Sequence, residues 1–446
     1  IYNLFIYLIG IKHQREVRMG KRMKSELWDN MQRFMAMYND HMVHYYNKTD
    51  GEFDIDVLKL AIGKAVDLAP ILKSKFVVRF TKPVWEEIDG FTVDDIFEFE
   101  EGDDSWENVE KFLVQVIDEE AGPQVRFKLF RKDGKDTFCM VINHMTFDGQ
   151  AIKEWLGILA KYYTKLLKDR DFVITDYVNG DRSFGQLFKH FTFAEKLKAN
   201  TRFAHGKMPD EMIGFPYSKK NRYALEPHIM RHKLSAEDFE KIKEVGKRNH
   251  MTLNDIILAV YSRSLADLIP LDQVPLDVDC ILDLRRYLPD GHTEGLTNFV
   301  TKIICPVDNY KNESIFSTIA QVNQNMAAAK GDYPGLGGLP QLRFGYWILP
   351  HPIAKKVVAA AFNNPLVAIS NIGIMDAKTL KFGDLTTEDT FITGSIKKAP
   401  YIQLALTTYH SEITFTVALY ANEEDLVTVK KFFDNMDKYF SIIKNS

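Results

Sequence analysis

The chain has 446 residues, more than one hydrophobic core commonly organises, so two lobes or domains are expected. Its 46% hydrophobic and 26% charged residues are ordinary globular composition and suit a large soluble enzyme. A formal charge of −4, with no arginine-rich run interleaved with aromatics in the body of the chain, gives no basis for nucleic-acid binding.

The first ten residues, IYNLFIYLIG, are apolar and are followed by the basic stretch IKHQREVRMGKRMK. Ten residues cannot span a bilayer, and the order of apolar and basic parts is the reverse of a secretory signal. Residues 1–24 are therefore set apart as an N-terminal extension. It is either a weak peripheral anchor or, the preferred reading, upstream sequence before a start at Met19 or Met23, so no firm membrane association is expected.

The body alternates strands and helices in two halves. In the first half, assigned to 25–175, MVHYYN is predicted as a strand, Asp54–Leu68 as a helix and Lys73–Arg79 as a strand. Ser105–Glu119 reads as a helix capped by Ser105, and Val125–Phe130 pairs with Thr137–Asn143 across the turn RKDGKD. Gln150–Leu167 is an amphipathic helix. Residues 176–225, rich in turn formers and poor in period, read as a linker. The second half, 226–446, begins with a strand at Ile229–Leu234 and a helix capped by Ser235, then a helix at Leu253–Leu268. Strands follow near Leu276–Leu284, Phe299–Pro306 and Leu366–Ser370. A final hairpin, Ile402–Thr408 with Ile413–Tyr420, leads into the helix Glu423–Phe440.

Chemistry concentrates in Phe138–Gly149, FCMVINHMTFDG, where an apolar β-prone run ends in a histidine followed by an Asp-Gly breaker. His144 thus stands where a strand hands over to a helix, a position suited to a general base because neutral imidazole takes a proton near physiological pH. Asp148 is read as a cap or an arginine partner. Gly149 is read as a site of positive φ or close ligand approach. His41 with His44, and His228 with His232, lack a third ligand, so no metal site is expected. Cys139, Cys280 and Cys305 have no CxxC spacing and read as buried thiols in a reducing compartment, hence a cytoplasmic location. No GxSxG, GxGxxG or Walker A sequence occurs, so neither a serine nucleophile nor a nucleotide site follows.

Written as NHMTFDG, the junction resembles the HHxxxDG signature of the condensation-domain and chloramphenicol-acetyltransferase-like superfamily of acyltransferases. DVDCILDLRRYLP (Asp277–Pro289), LTNFV (Leu296–Val300) and NPLVAISNIG (Asn364–Gly373) follow in the order of its stand-alone members. Asn143 replaces the first motif histidine, and the DFGWG motif of the plant branch has no counterpart beyond Phe382-Gly383-Asp384. The resemblance implies an α/β fold, an α+β two-layer sandwich in which two acetyltransferase-like lobes form a V with a central tunnel. It implies that His144 is the general base and that Arg285 or Arg286 holds Asp148, Arg285 aligning better. Strand alternation would let only one of the two face inward. Ser370 and Asn371, closing an apolar strand, are candidate oxyanion donors, as is the Gly149 amide, and Asn298 is a candidate tunnel residue.

The reading that results is a monomeric acyltransferase that binds no cofactor and uses acyl-CoA or an acyl-phosphopantetheine thioester as co-substrate. The acceptor is a hydroxyl or an amine, and an acyl carrier protein is a candidate partner. The single motif histidine favours ester formation resembling the alcohol-acetyltransferase and polyketide-ester branch. Amide-forming condensation of the peptide-synthetase kind and a non-catalytic carrier-docking module are the alternatives.

Overall fold

A computed structural model describes residues 21–175, 180–201, 212–220, 222–223, 225–331, 333–361 and 365–446. The apolar N-terminal stretch, parts of the expected linker and Asn364 lie outside the described residues. Fourteen strands occur among the described ones: β1 (Arg22–Lys24), β2 (Met42–Thr49), β3 (Ser74–Val77), β4 (Val84–Glu87), β5 (Phe97–Glu101), β6 (Val125–Lys132), β7 (Lys135–Asn143), β8 (Glu226–Leu234), β9 (Gln273–Asp283), β10 (Val300–Tyr310), β11 (Val367–Ile374), β12 (Thr387–Thr393), β13 (Ile402–Tyr409) and β14 (Glu412–Ala421). They form a five-stranded sheet ordered β12-β2-β7-β6-β5, a six-stranded sheet ordered β10-β9-β11-β13-β14-β8, and a small sheet β1-β4-β3.

The β6–β7 hairpin closes on Asp133-Gly134, both at positive φ, which is the backbone that a two-residue turn needs to follow the twist of its strands. β7 is buried along nearly its whole length because both faces of the sheet are covered. On one face, Phe127 and Phe138 stack at 5.7 Å, and Phe127 also stacks on Trp155 of the helix Gly149–Leu166. On the other, Cys139 and Val141 pack with Phe112, Ile229 and Ala418 in a cluster that joins the two lobes. That double burial explains why the strand reads as a continuous apolar run instead of an alternation.

The second lobe packs Leu253–Ala266, Ile315–Ala329 and Glu423–Lys444 on the six-stranded sheet around a core that includes Val260, Val278, Phe415 and Phe432. The helix expected to Glu119 spans Trp106–Leu113, as the β-branched Val114, Val116 and Ile117 lose rotamer freedom in a helix. The stretch set apart as a linker contains two helices, Gly185–Lys189 and Phe193–Thr201. Arg22–Lys24, grouped with the N-terminal extension, form β1 against β4.

The sheets also cross the boundary between halves. β12, which the chain order assigns to the second lobe, hydrogen-bonds to β2 and completes the first lobe's sheet, with Phe391 opposite Tyr46. The chain then returns through Lys397, bridged to Asn39 on one side and to Leu419 on the other, before entering β13. The two lobes are thus tied by main-chain pairing as well as by packing. No described helix is long and apolar enough to cross a membrane.

Candidate active site

The loop between β7 and the helix Gly149–Leu166 is held by side chains from four directions. Asn143 is fully buried: its Oδ1 accepts the Met145 N–H at 2.9 Å, and its Nδ2 donates to Gln124 Oε1 at 2.8 Å. The Asn143 carbonyl accepts the Thr146 hydroxyl at 2.7 Å. Asn298 Nδ2 donates to the carbonyls of His144 and Met145 at 2.7 and 3.1 Å, and Arg182 Nη2 donates to that of Thr146 at 3.0 Å. Each of these bonds replaces water on a polar group of an irregular buried loop.

Asp148 fixes the loop's far end. As N-cap it accepts the Ala151 N–H at 2.8 Å, satisfying one of the helix's orphan donors. Arg285 grips it with two bonds, Nη1 to Oδ2 at 2.8 Å and Nη2 to Oδ1 at 3.1 Å, and the Phe299 N–H adds a third partner at 2.7 Å. Both side chains are about 98% buried, at 1% and 2% exposure. Burial alone would lower the arginine's pKa, but the Asp148 charge and hydrogen bonds raise it above the ordinary value. Arg286 is exposed, against Tyr287. The selection is not made by strand alternation: β9 ends at Asp283, and both arginines lie in the short 3-10 turn Leu284–Tyr287.

His144 is half-buried and lines a cavity of about 830 Å³ walled by both lobes. Its Nδ1 lies 3.0 Å from the Phe147 carbonyl oxygen. A carbonyl only accepts, so this contact assigns the proton to Nδ1 and leaves the lone pair on Nε2. Burial pushes the imidazole pKa below its usual value, opposed by the Asp148 carboxylate and reinforced by the positive charge of Lys397. The ring is therefore neutral at physiological pH, the state that can accept a proton.

Two expectations need correction. Of the two readings of Gly149, positive φ is not adopted: it is the first residue of its helix, where a Cβ would stand 3.4 Å from Ile372 on β11, and it lines the cavity as the other reading requires. Asn298 lines the cavity, as expected of a tunnel residue, and its amide also donates to the loop carbonyls and so scaffolds His144. Asn371 also borders the cavity, yet its Nδ2 donates to Asn254 and its Oδ1 accepts the Gly373 N–H. Ser370 lines the cavity on the same strand, beyond the three-residue stretch where β11 pairs with β9. Of the oxyanion candidates, Ser370, Gly149 and Asn371 all line the same cavity as His144.

Asn143 does not line the cavity at all. Its departure from the histidine pattern therefore falls in the turn's scaffold.

Sequence reasoning missed Lys397. It lines the cavity from the crossover that joins β12 to β13, and no motif or period marks it within SIKKAP. Burial lowers its pKa to about 8, partly offset by Asp40 and Asp279. Replacing it is expected to show in the pH profile. Because Lys397⁺ holds the His144 pKa down, Lys397→Met lets that pKa rise, and the acidic limb of kcat/KM moves to higher pH. A limb that stays in place or moves to lower pH in a pH–rate series of the two proteins would show that Lys397 does not act on the imidazole.

Paired lobes around a histidine loop of this construction are the build of a condensation domain. The condensation-domain family profile matches residues 27–274, more than half of the chain, and the protein belongs to that family. No curated protein matches it significantly. Among solved structures, it is similar to trichothecene 15-O-acetyltransferase TRI3 from Fusarium sporotrichioides, at 13% identity over 95% of this chain and 94% of that one, with a TM-score of 0.67. The first condensation domain of the calcium-dependent antibiotic synthetase, bound to a substrate analogue, gives 13% identity over 94% and 97%, with a TM-score of 0.67. Polyketide synthase associated protein 5 from Mycobacterium tuberculosis gives 15% over 91% and 95%, with a TM-score of 0.61. At these identities the likeness establishes the fold.

Proposed function

We propose that the protein transfers an acyl group from a CoA or phosphopantetheine thioester to a hydroxyl or amine, with His144 as general base. The observation that carries this reading is the Nδ1–H contact with the Phe147 carbonyl, which leaves Nε2 unprotonated beside a cavity that both lobes line. As the acceptor's oxygen or nitrogen attacks the thioester carbonyl, its proton passes to Nε2. The tetrahedral intermediate then collapses, the C–S bond breaks, and the imidazolium returns the proton to the leaving thiolate. Charge developing on the carbonyl oxygen would be met by the Gly149 amide, an orphan donor at a helix N-terminus, or by the Ser370 hydroxyl.

Both substrates meet in one cavity, and no serine or cysteine nucleophile is required. The sulfurs of Cys139 and Cys280 are buried and their pKa values raised, which makes thiolate attack at either unfavourable. The reading therefore predicts intersecting double-reciprocal lines when donor and acceptor are varied together. The test supplies acetyl-, octanoyl- and longer acyl-CoA, and an acyl-loaded carrier protein, to matched alcohols and amines while following thiol release. Parallel lines would replace the direct mechanism by an acyl-enzyme. The absence of transfer with every pairing would leave the fold with a docking role instead.

A further inference from the structure

The helices Leu339–Ile348 and His351–Ala361 form a wall with two different faces. Leu339 and Leu342 of the first turn toward the cavity. Phe344, Trp347 and Ile348, spaced i, i+3, i+4 on one stripe, are exposed instead, Trp347 by 73% and Phe344 by 62%. Ile353 and Val357 continue the exposed apolar surface on the second helix at i, i+4. The loop after β3 adjoins them, since the His351 N–H donates to the Phe80 carbonyl at 3.0 Å and Lys82 Nζ donates to the Leu349 carbonyl at 2.6 Å. Phe80 itself is 70% exposed.

The charge on these segments is of one sign. Residues 74–85 and 339–361 contain Lys75, Arg79, Lys82, Arg343, Lys355 and Lys356, and not one aspartate or glutamate, in a chain whose net charge is −4. None of the six makes an ion pair with a described acidic residue within 4 Å. The local field has a visible consequence: His351 is pushed down to about 4 by burial and by the charges of Arg33, Lys355 and Lys82.

We propose that this face docks reversibly on a bilayer containing anionic lipid. Exposed tryptophan and phenylalanine seat at the headgroup boundary, the stems of Lys355 and Lys356 extend past them to lipid phosphates and carboxylates, and neither contribution alone would hold the protein. A self-associating face would gain nothing from the exposed Lys355 and Lys356, whose like charges would repel across a symmetric interface. Since the inner side of the same helix lines the cavity, docking would put that space about one helix diameter, roughly 10 Å, from lipid. A lipophilic substrate would then have a short path from the bilayer. The inference stands on the surface alone and does not depend on the transfer chemistry.

The test is co-sedimentation of the full chain with vesicles of phosphatidylcholine alone and with one-third phosphatidylserine, together with tryptophan emission. Binding is expected to the anionic vesicles, to fall with added salt, and to bring a blue shift that Trp347→Ser abolishes. With each cation near the surface contributing about five-fold, Lys355→Glu/Lys356→Glu should weaken binding by at least about thirty-fold. Lys430→Glu/Lys431→Glu, exposed on the helix Glu423–Lys444, should change it far less. Equal binding to both vesicle types, or no difference between the two double variants, would overturn the proposal. So would a chain that ignores vesicles and elutes as a dimer split by Trp347→Ser, or one that binds only an acidic carrier protein through this face.

Discussion

Alanine in place of His144 is expected to lower kcat/KM by about a hundred- to ten-thousand-fold while leaving the fold intact. The two halves of that expectation have separate causes. The ring makes one hydrogen bond inside its own loop, to the Phe147 carbonyl, so truncation removes about 1 kcal/mol of net stabilisation. The loop's other fastenings, through Asn143, Asn298, Arg182 and Asp148, involve main chain or other side chains and persist. Catalysis loses its proton acceptor. Lys397 lines the same cavity, but with a pKa of about 8 it is chiefly protonated at neutral pH. Thiol release from acyl-CoA in the presence of a productive acceptor, measured beside a thermal melt, separates the effects. A variant that melts with the wild type and transfers within a few-fold of it would remove His144 from the mechanism.

Why this residue stands out in the sequence, while others do not, follows from the range of the forces that position them. The β7-to-helix junction is a local event: an apolar run, an Asp-Gly breaker and a helix cap lie within a dozen residues, and each agrees with the next. Asp133-Gly134 at the hairpin and Ser235 at its helix are legible for the same reason. β12 is not, because TEDTFIT gains its place only by pairing with β2, more than three hundred residues earlier. Asn298 was legible as a tunnel residue, and it does line the cavity, but its hold on the loop was not. Its amide donates to the carbonyls of His144 and Met145, more than 150 residues earlier, a pairing no local pattern announces. Arg285 aligned correctly, yet strand alternation was the wrong ground, since a 3-10 turn does the selecting. The apolar helix Leu339–Ile348 has no strong single-sided period, because Leu339 and Leu342 look into a cavity and Phe344, Trp347 and Ile348 are exposed.

Breaking the Asp148–Arg285 pair is expected to be the most destabilising change near the site. In Arg285→Met the guanidinium disappears and a carboxylate at 1% exposure remains, which for a buried pair costs about 3–5 kcal/mol. The lower end applies here, because the amides of Ala151 and Phe299 still donate to that carboxylate. Asp148→Asn leaves the arginine with Asp283 and the Thr297 carbonyl, and also weakens the helix cap. Combining the two changes removes both charges, so the double variant should lose clearly less than the sum of the single losses. Activity is coupled to the same bond without Arg285 touching substrate. Once Asp148 is released, the loop from His144 to the helix loses its far anchor, and kcat should fall more than KM rises. Arg285→Lys tests the geometry: it restores charge but not the two-pronged grip, so it should recover part of the stability and less of kcat. Urea unfolding of the four proteins, with unchanged slopes, gives the coupling energy directly. Additive losses would mean that the pair contributes no more than two independent contacts, and the loop would have to owe its shape to Asn143 and Asn298 alone.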